Sequence, residues 1–452
     1  MKIKYLSLAV LNFICFVAIA ADSNSANAEK GFSDKSFLDQ NFFKDSKFEF
    51  STRNHWKYLK ENASQPKEVH SAWGQAFTFN YKSGYLLDIL GFDFTYDNVI
   101  KLGASDYFAT RNLLYNTGKK PNKHNAHGFN KFTQRYAKVK LGNSTDLNFN
   151  GKVGWHSLKD MGVVSSSQHL TRYSYLGYSG VLKYANFALS LAYIDSALPR
   201  ESSQKVHFYS IDRKHEIDNI KTAGIAYNDK ALKLDYSYGV AKDYIKRHAI
   251  EFAYKPMDKL TFGSQIYGST ALKNHDKMKA NVRDFDDSAW HYATDVEWKE
   301  TNWSAKFGIA YTDANRKDAI GFYGRHLGKN NRGRYNGMAA AGADYMRDGE
   351  IVLSSVLSYD FFKDNTSGLY LNYGEFNYKH ETLKNGEINV FNIFKPTSGT
   401  FKNLSILSKF GYGWSYKTIS SKDITPKLRD GKAQRSPTLS AETVIDYRFN
   451  LL

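Results

Sequence analysis

The sequence contains almost no cysteine and little proline. Its 452 residues include 1 Cys and 7 Pro, and Cys15 lies within the first twenty residues, MKIKYLSLAVLNFICFVAIA. That segment has two lysines, an apolar stretch and the small-residue pattern Ala18-Ile19-Ala20. These features predict a cleaved secretory signal peptide at residues 1–20, with an alternative cut after Ala28. We therefore expect an exported chain without thiol chemistry or disulfides.

Long hydrophobic runs and a balancing number of acidic residues are also missing. After the signal peptide no apolar run reaches about 18 residues, and the mean hydropathy is −0.54. This excludes a protein that crosses a membrane with helices, but not one that crosses with strands, where only every second residue meets lipid. Asp and Glu number 45 against 62 Lys and Arg, which gives a net charge of +17. Such a basic chain should attract anions.

The sequence is rich in alternation between large apolar and polar residues. In WGQAFTFNYKSGY (73–85), Phe77 and Phe79 alternate with Thr78 and Asn80. A period of two indicates β-strands with two chemically different faces. The strands have roughly the nine to eleven residues that a tilted strand needs to cross a bilayer. The same pattern recurs in FALSLAYI (187–194), LKLDYSYGV (232–240), WSAKFGIAY (303–311) and SILSKFGYGWSY (405–416).

The aromatic character of the apolar face favours a membrane barrel over a soluble sandwich. The chain has 31 Phe and 32 Tyr, whereas a soluble sandwich needs an inward face of tightly packed aliphatic residues. Lipid suits the aromatic face, and a wet lumen suits the small and charged residues of the other face. We predict an all-β protein, a transmembrane antiparallel up-and-down β-barrel at 46–452, preceded by an N-terminal segment at 21–45. A soluble all-β protein is the alternative.

Turn residues and polar segments divide the predicted strands. The segment at about 156–180 is a long connection that we expect to fold into the lumen. Tight turns are predicted at Asn98, Asn143-Ser144, Asn228-Asp229 and Pro256-Met257-Asp258. Long outer loops are predicted at about 111–131, 196–219, 270–287, 313–337 and 418–437.

Motifs for catalysis, metal binding and cofactor binding are absent from the sequence. There is no G-x-S-x-G elbow, and His215-Glu216 has no second histidine at the spacing of a zinc protease. We expect no enzyme activity, no cofactor and no metal. The arginine-rich loop at 313–337 would be a solvated loop, or it would meet lipopolysaccharide or steer anionic solutes, and we expect no nucleic-acid binding.

Basic residues recur on the polar face of the predicted strands. A positive potential in a narrow wet pore raises the local concentration of anions and favours the passage of carboxylates. Eight basic residues share the phase of the small polar residues and are predicted to line the lumen: Arg53, Lys82, Lys138, Lys140, Lys233, Lys306, Lys409 and Arg448.

Five segments, taken in order, carry a resemblance to one known family. They are DSKFEFSTRNHWKYL (45–59), WGQAFTFNYKSGY (73–85), GFDFTYDNVIKLG (91–103), LTRYSYLGYSG (170–180) and SYDFFKDNTSGLYLNYG (358–374). The first three resemble the opening strands of the OprD family of outer-membrane porins. The fourth is similar to the family's segment around an arginine that leads into the third loop, and the fifth to one of its strand pairs.

The resemblance implies a barrel of 18 strands, monomeric or loosely associated as a homotrimer, narrowed by an inward loop. By motif position, Arg53 matches an arginine of the first strand, Arg172 that of the third-loop approach, and Arg448 a basic residue of the closing strand. The proline that often follows the third-loop arginine is absent, because Tyr173 follows Arg172 here.

The sequence thus predicts a porin of the outer membrane of a Gram-negative bacterium. It would let small anionic or zwitterionic solutes that carry a carboxylate, such as amino acids and organic acids, diffuse passively and with partial selectivity. Its other partners would be outer-membrane lipid and lipopolysaccharide. Two rivals stay open: a surface adhesin or lipopolysaccharide-contacting barrel with a plugged lumen, and a hydrolase carried on a barrel.

Overall fold

The structure is a computed structural model. It describes residues 41–61, 68–107, 110–119, 121–142, 147–317, 319–338, 345–416, 425–426 and 428–450. The predicted signal peptide and residues 21–40 of the predicted N-terminal segment lie outside the described residues.

Eighteen long strands, numbered β1–β18 here, six short unnumbered strands of two to four residues and two short helices make up the regular structure of the described residues. The helices are α1, Asn41–Lys44, and α2, Lys273–Asp276. Neither is long or apolar enough to cross a membrane. The strands are β1 Lys47–Glu61, β2 Glu68–Lys82, β3 Leu90–Ala104, β4 Phe129–Gly142, β5 Leu147–His156, β6 Ser174–Tyr184, β7 Phe187–Leu198, β8 Ile220–Asn228, β9 Leu232–Ala241, β10 Ile245–Met257, β11 Leu260–Ala271, β12 Ser288–Lys299, β13 Trp303–Asp313, β14 Ile351–Phe362, β15 Asn365–Tyr378, β16 Glu381–Phe394, β17 Leu404–Ser415 and β18 Ser436–Asn450.

The strands form one closed antiparallel barrel. Each long strand pairs with its neighbour in the chain, and β1 pairs with both β2 and β18, so the sheet has no free edge. In the closing pair Arg53 lies opposite Asp446. Closure satisfies the backbone hydrogen bonds of every strand, which lipid cannot do. The predicted fold class and the implied count of 18 strands are confirmed.

The alternation of the sequence separates the outer and inner surfaces of the barrel. Phe307 and Phe410 point outward, with 53% and 57% of their surface exposed. Their neighbours Lys306 and Lys409 lie on the opposite face, which lines the lumen. The two ends also differ, since connections after the even-numbered strands are short and most connections after the odd-numbered strands are long.

Most predicted connections agree with the structure, and one turn is wrong. Asn228-Asp229 and Pro256-Met257-Asp258 lie at or next to strand ends, and Asn143-Ser144 lies outside the described residues. Asn98 is in the middle of β3, where it pairs with Phe77 and Asn130. The turn preference of asparagine is a local bias, and strand pairing on both sides of β3 outweighs it.

The long connections lie at the other end of the barrel. Each predicted long segment overlaps a connection between strands, shifted by a few residues, and the last of them is described only in part. The connections are 105–128, 157–173, 199–219, 272–287, 314–350 and 416–435.

Candidate functional site

Three long loops fold into the lumen and contact one another. They are the β3–β4 loop (105–128), the β5–β6 loop (157–173) and the β13–β14 loop (314–350). The backbone amide of Arg334 donates to the Val163 carbonyl at 2.9 Å. His169 hydrogen-bonds to the Asn112 carbonyl at 3.0 Å. The predicted inward fold of the segment at 156–180 is confirmed, and it is joined by two further loops.

An apolar cluster packs the β5–β6 and β13–β14 loops, together with the β7–β8 loop (199–219), against one side of the barrel. The β3–β4 loop packs separately, through Leu113 and Leu114, against β2 and β3. Burial of each large apolar side chain contributes roughly 1.5–3 kcal/mol, so the cluster holds the loops as a fixed layer inside the barrel. Its buried members from the loops include Leu158, Val163, Val164, Phe208, Tyr323 and Leu327. Its buried members from the wall include Ile194, Ile220, Ile245 and Tyr267.

Two buried arginines fasten the β13–β14 loop to the same side. Arg334 donates through Nε to Glu251 Oε1 at 2.8 Å and through Nη1 to Asp235 Oδ1 at 2.9 Å. Arg247 is 1% exposed and donates through Nη2 to the Gly324 carbonyl at 2.6 Å. Arg334 is ion-paired where it is buried, so removing a partner would leave an uncompensated charge. Arg247 instead donates to backbone carbonyls and to the Ser269 hydroxyl.

Three arginines meet at a polar cleft on the opposite side, between the β5–β6 loop and the strands β18, β1, β2 and β3. These are Arg53, Arg172 and Arg448, the residues carried over by motif position. Three acidic residues, Glu49, Asp97 and Asp446, also line the cleft. The structure therefore brings together residues that are far apart in the sequence.

The three arginines of the cleft are engaged to different extents. Arg53 forms a bidentate ion pair with Asp446, at 2.5 and 2.7 Å, and donates to the His169 carbonyl at 2.7 Å. Arg172 contacts Gln168 at 3.3 Å. Among the described residues no carboxylate lies within ion-pair distance of Arg172 or Arg448. Both side chains are exposed at the cleft.

On the loop-end side of the cleft, the barrel wall carries a second cluster of basic residues. Glu442 accepts from His55 at 2.7 Å and lies 3.4 Å from Lys57 and 3.9 Å from Lys409. One carboxylate thus faces two lysines, which leaves an excess of positive charge at this level. Lys57 and Arg53 lie on the same face of β1, with Lys57 closer to the loop end.

Lysines also gather on the other side of the cleft, toward the end with short connections. Lys138 forms an ion pair with Asp93 at 2.7 Å. Its Nζ lies 4.8 Å from the centre of the Tyr85 ring, and that of Lys140 lies 5.8 Å from it. Lys82 pairs with Asp93 in the ladder between β2 and β3. Three of the predicted lumen lysines are therefore neighbours.

The remaining two predicted lysines are not part of this group. Lys233 on β9 and Lys306 on β13 lie on the inward face, but on the opposite side of the barrel from β1. Lys306 forms an ion pair with Asp295 at 2.9 Å. The alternation within a strand shows whether a residue faces the lumen or the lipid, but not where around the barrel the residue lies.

Sequence reasoning missed basic residues beside the cleft. Lys57 follows the same alternation as Arg53 on β1, so the period-two rule could have found it. Arg111 and Arg200 come from loops and reach this region by folding inward, for which the sequence has no periodic signal. Burial lowers the pKa of both guanidinium groups.

The neutral ring of His169 links the β5–β6 loop to the barrel wall. Burial lowers the pKa of His169 far below its ordinary value, and the nearby charges of Arg200 and Lys57 lower it further. The neutral ring can donate from Nδ1 to the Asn112 carbonyl and accept at Nε2 from Lys57, at 3.2 Å. A single imidazole therefore joins two loops and β1 beside the cleft.

Comparison with known proteins identifies the family. The family model described as outer membrane porin, OprD family, matches residues 40–407. This chain belongs to the OprD family. The location of this porin is therefore the outer membrane. No curated protein matches the chain.

Solved structures of similar fold agree with this membership. OccK9 (OpdG) of Pseudomonas aeruginosa has a TM-score of 0.72 at 15% identity and covers 91% of this porin and 100% of its own chain. OpdK of Pseudomonas aeruginosa with vanillate has a TM-score of 0.69 at 15% identity, covering 90% and 100%. OccAB4 of Acinetobacter baumannii has a TM-score of 0.66 at 14% identity, covering 92% and 100%. At such low identity the likeness concerns the fold.

The ion pairs of Arg334 predict how firmly the β13–β14 loop is held inside the barrel. Arg334→Gln should leave Glu251 and Asp235 with unpaired buried charge, and the local cost is roughly 3–5 kcal/mol. We expect the β13–β14 loop of the folded barrel to be cut by trypsin at least ten times faster than in the wild type. Arg429→Gln, at an exposed arginine, is the control. Equal cleavage rates of this loop in the wild type and in both variants would contradict the role of Arg334 in holding the loop.

Buried His326 generates a prediction about pH. Burial lowers the pKa of His326 to about 4, although its hydrogen bond to the Asn331 carbonyl opposes the shift. Since the ordinary value is near 6.5, the detached loop binds the proton more readily than the packed loop as the pH falls from about 6.5 to 4. The packed loop is therefore fully stable above about pH 6.5 and loses stability below it.

Current noise from single barrels in planar bilayers would measure this loop stability. Fluctuations should increase between pH 7 and pH 4.5 in the wild type, and the increase should be smaller in His326→Gln. An equal increase in current noise in both proteins would show that His326 does not cause the pH dependence.

Proposed function

We propose that this porin allows passive diffusion of small solutes that carry a carboxylate, guided by the basic residues around the cleft. The observation that carries the proposal is the position of Arg172 and Arg448. Both line the same cleft as Arg53, beside a loop that narrows the lumen. A guanidinium group can bind a planar carboxylate through two parallel hydrogen bonds, and these two residues supply two such groups.

The proposed path follows the order of basic residues along the wall. A carboxylate entering from the loop end would first meet Lys57 and Lys409, then the cleft, and then Lys82, Lys138 and Lys140. Each basic group replaces part of the water that the carboxylate loses in the narrow lumen. Several moderate sites in series allow release, whereas one tight site would trap the solute.

Acidic residues near the cleft limit how strongly it binds anions. Asp446 is held by Arg53, and Asp97 accepts hydrogen bonds from Thr78 and Thr133. Glu49 is the third acidic residue that lines the cleft. Because Asp446 and Asp97 are engaged, we assign Arg172 and Arg448 as the guanidinium groups that meet the solute. A loop carbonyl would accept a hydrogen bond from the amino group of a zwitterion, which would admit amino acids.

A similar barrel supports the choice of solute class. OpdK of Pseudomonas aeruginosa has been crystallised with vanillate, which is a small aromatic carboxylate. We propose the solute class of the present porin from its own basic residues. Vanillate, with which OpdK was crystallised, belongs to the same chemical class. We keep Lys233 and Lys306 as inward-facing residues outside the main path.

Export by a signal peptide, lipopolysaccharide contact and a monomer or loose homotrimer remain predictions from the sequence. The rivals also make different predictions. A plugged adhesin would pass no current, and a hydrolase would lose activity on substitution of one histidine or acidic residue.

Block of chloride current by carboxylates tests the role of the arginines. Benzoate and glutamate should reduce the current through single wild-type channels. In the double variant Arg172→Gln and Arg448→Gln, the concentration for half block should rise at least tenfold, because each hydrogen bond to a charged group contributes about 1.5–3 kcal/mol.

Lys233→Gln is the matched control, since it removes an inward positive charge from the opposite wall. It should change the half-block concentration less than twofold. A double variant that is blocked as strongly as the wild type would contradict the proposed path. A wild type that inserts repeatedly without passing current would favour the plugged rival.

A further inference from the structure

A histidine and two glutamates meet on the inner wall at the loop end of β1 and β2. Glu61 and Glu68 lie opposite each other in the ladder, and His70 is the next residue along β2 on the same face. The Nε2 atom of His70 is 3.7 Å from an oxygen of Glu61 and 3.7 Å from an oxygen of Glu68. This cluster is separate from the arginine cleft and does not depend on the proposed transport function.

The distances within the cluster fit a shared ion better than direct hydrogen bonds. A separation of 3.7 Å is too long for a hydrogen bond between nitrogen and oxygen. Two ligand atoms that bind one zinc ion at about 2.0–2.2 Å, with a tetrahedral or wider angle, lie roughly 3.4–3.8 Å apart. The three ligand atoms all lie within 4.8 Å of one another.

Burial makes the cluster unusual for a set of solvated surface groups. The side chains of Glu61 and His70 are 0% exposed, and that of Glu68 is 16% exposed. The buried Oε2 atom of Glu68 has no hydrogen-bond partner among the described residues. A divalent cation at this position would take that oxygen as a ligand and would compensate the negative charge of the glutamates.

Neighbouring elements hold the three side chains in place. The hydroxyl of Ser436, at the start of β18, donates to Glu61 Oε1 at 3.3 Å. The ring of Tyr107, from the β3–β4 loop, stands edge-on to His70 at 5.1 Å between centroids. By contrast, His55 contacts Glu442 directly at 2.7 Å, which leaves no space for an ion between them.

We propose that Glu61, Glu68 and His70 bind a divalent transition-metal ion of the zinc class. An imidazole ligand favours such ions over calcium and magnesium, which prefer oxygen ligands throughout. The remaining coordination positions would be filled by water. The ion would join the β1–β2 pair at the loop end of the barrel, where Ser436 and Tyr107 bring β18 and the β3–β4 loop against the same group.

Zinc titration of the purified full-length barrel, without a histidine tag and after EDTA treatment, tests the site. Calorimetry should show about one zinc ion bound per barrel, and zinc should raise the midpoint of thermal unfolding because it binds the folded state. Glu68→Gln and His70→Gln, tested separately, should each weaken zinc binding at least tenfold and abolish the thermal shift.

The control is His207→Gln, at an exposed histidine that lies 3.3 Å from Glu216 in the β7–β8 loop. It should bind zinc like the wild type. Heat-dependent gel mobility shows whether each variant has formed a barrel, and either cluster variant that folds is sufficient. Wild-type protein that binds no zinc, or a folded cluster variant that binds it as tightly as the wild type, would overturn the proposal.

Discussion

A backbone amide or carbonyl inside a bilayer has no water to bond with, and the pairing of β1 with β18 meets this constraint for the whole wall. Once the sheet is closed, each strand must present one face to lipid and the other to the lumen. The alternation in the sequence follows from that requirement. It also explains the mean hydropathy of −0.54 in a membrane protein, because only the outward half of each strand has to be apolar.

The interior of the barrel is divided between a packed side and a charged side. On one side, apolar loop residues and the buried arginines Arg247 and Arg334 fix the β5–β6 and β13–β14 loops to β6–β12. On the other side, Arg53 links β1, β18 and the β5–β6 loop. The β3–β4 loop packs on this charged side, through Leu113 and Leu114 against β2 and β3. The cleft lined by Arg53, Arg172 and Arg448 lies on this second side, beside the β5–β6 loop.

The sequence predicted the wall better than the interior. A period of two assigns Arg53 and Arg448 to the lumen, and the same rule would have assigned Lys57. The partner of Arg53 could not be predicted, because Asp446 is 393 positions away and is brought near only by barrel closure. The same limit explains Lys233 and Lys306, whose face is evident from the sequence but whose place around the barrel is not. Asn98 shows that a turn-prone residue does not end a strand that is paired on both sides.

The sign of the charge selectivity tests the central claim most directly. The reversal potential of wild-type channels should be measured in a planar bilayer with potassium chloride at different concentrations on the two sides. The account predicts a potential displaced toward the chloride equilibrium value, because it proposes that the basic residues of the cleft and its neighbouring wall outweigh the acidic ones. A potential displaced toward the potassium value would contradict it.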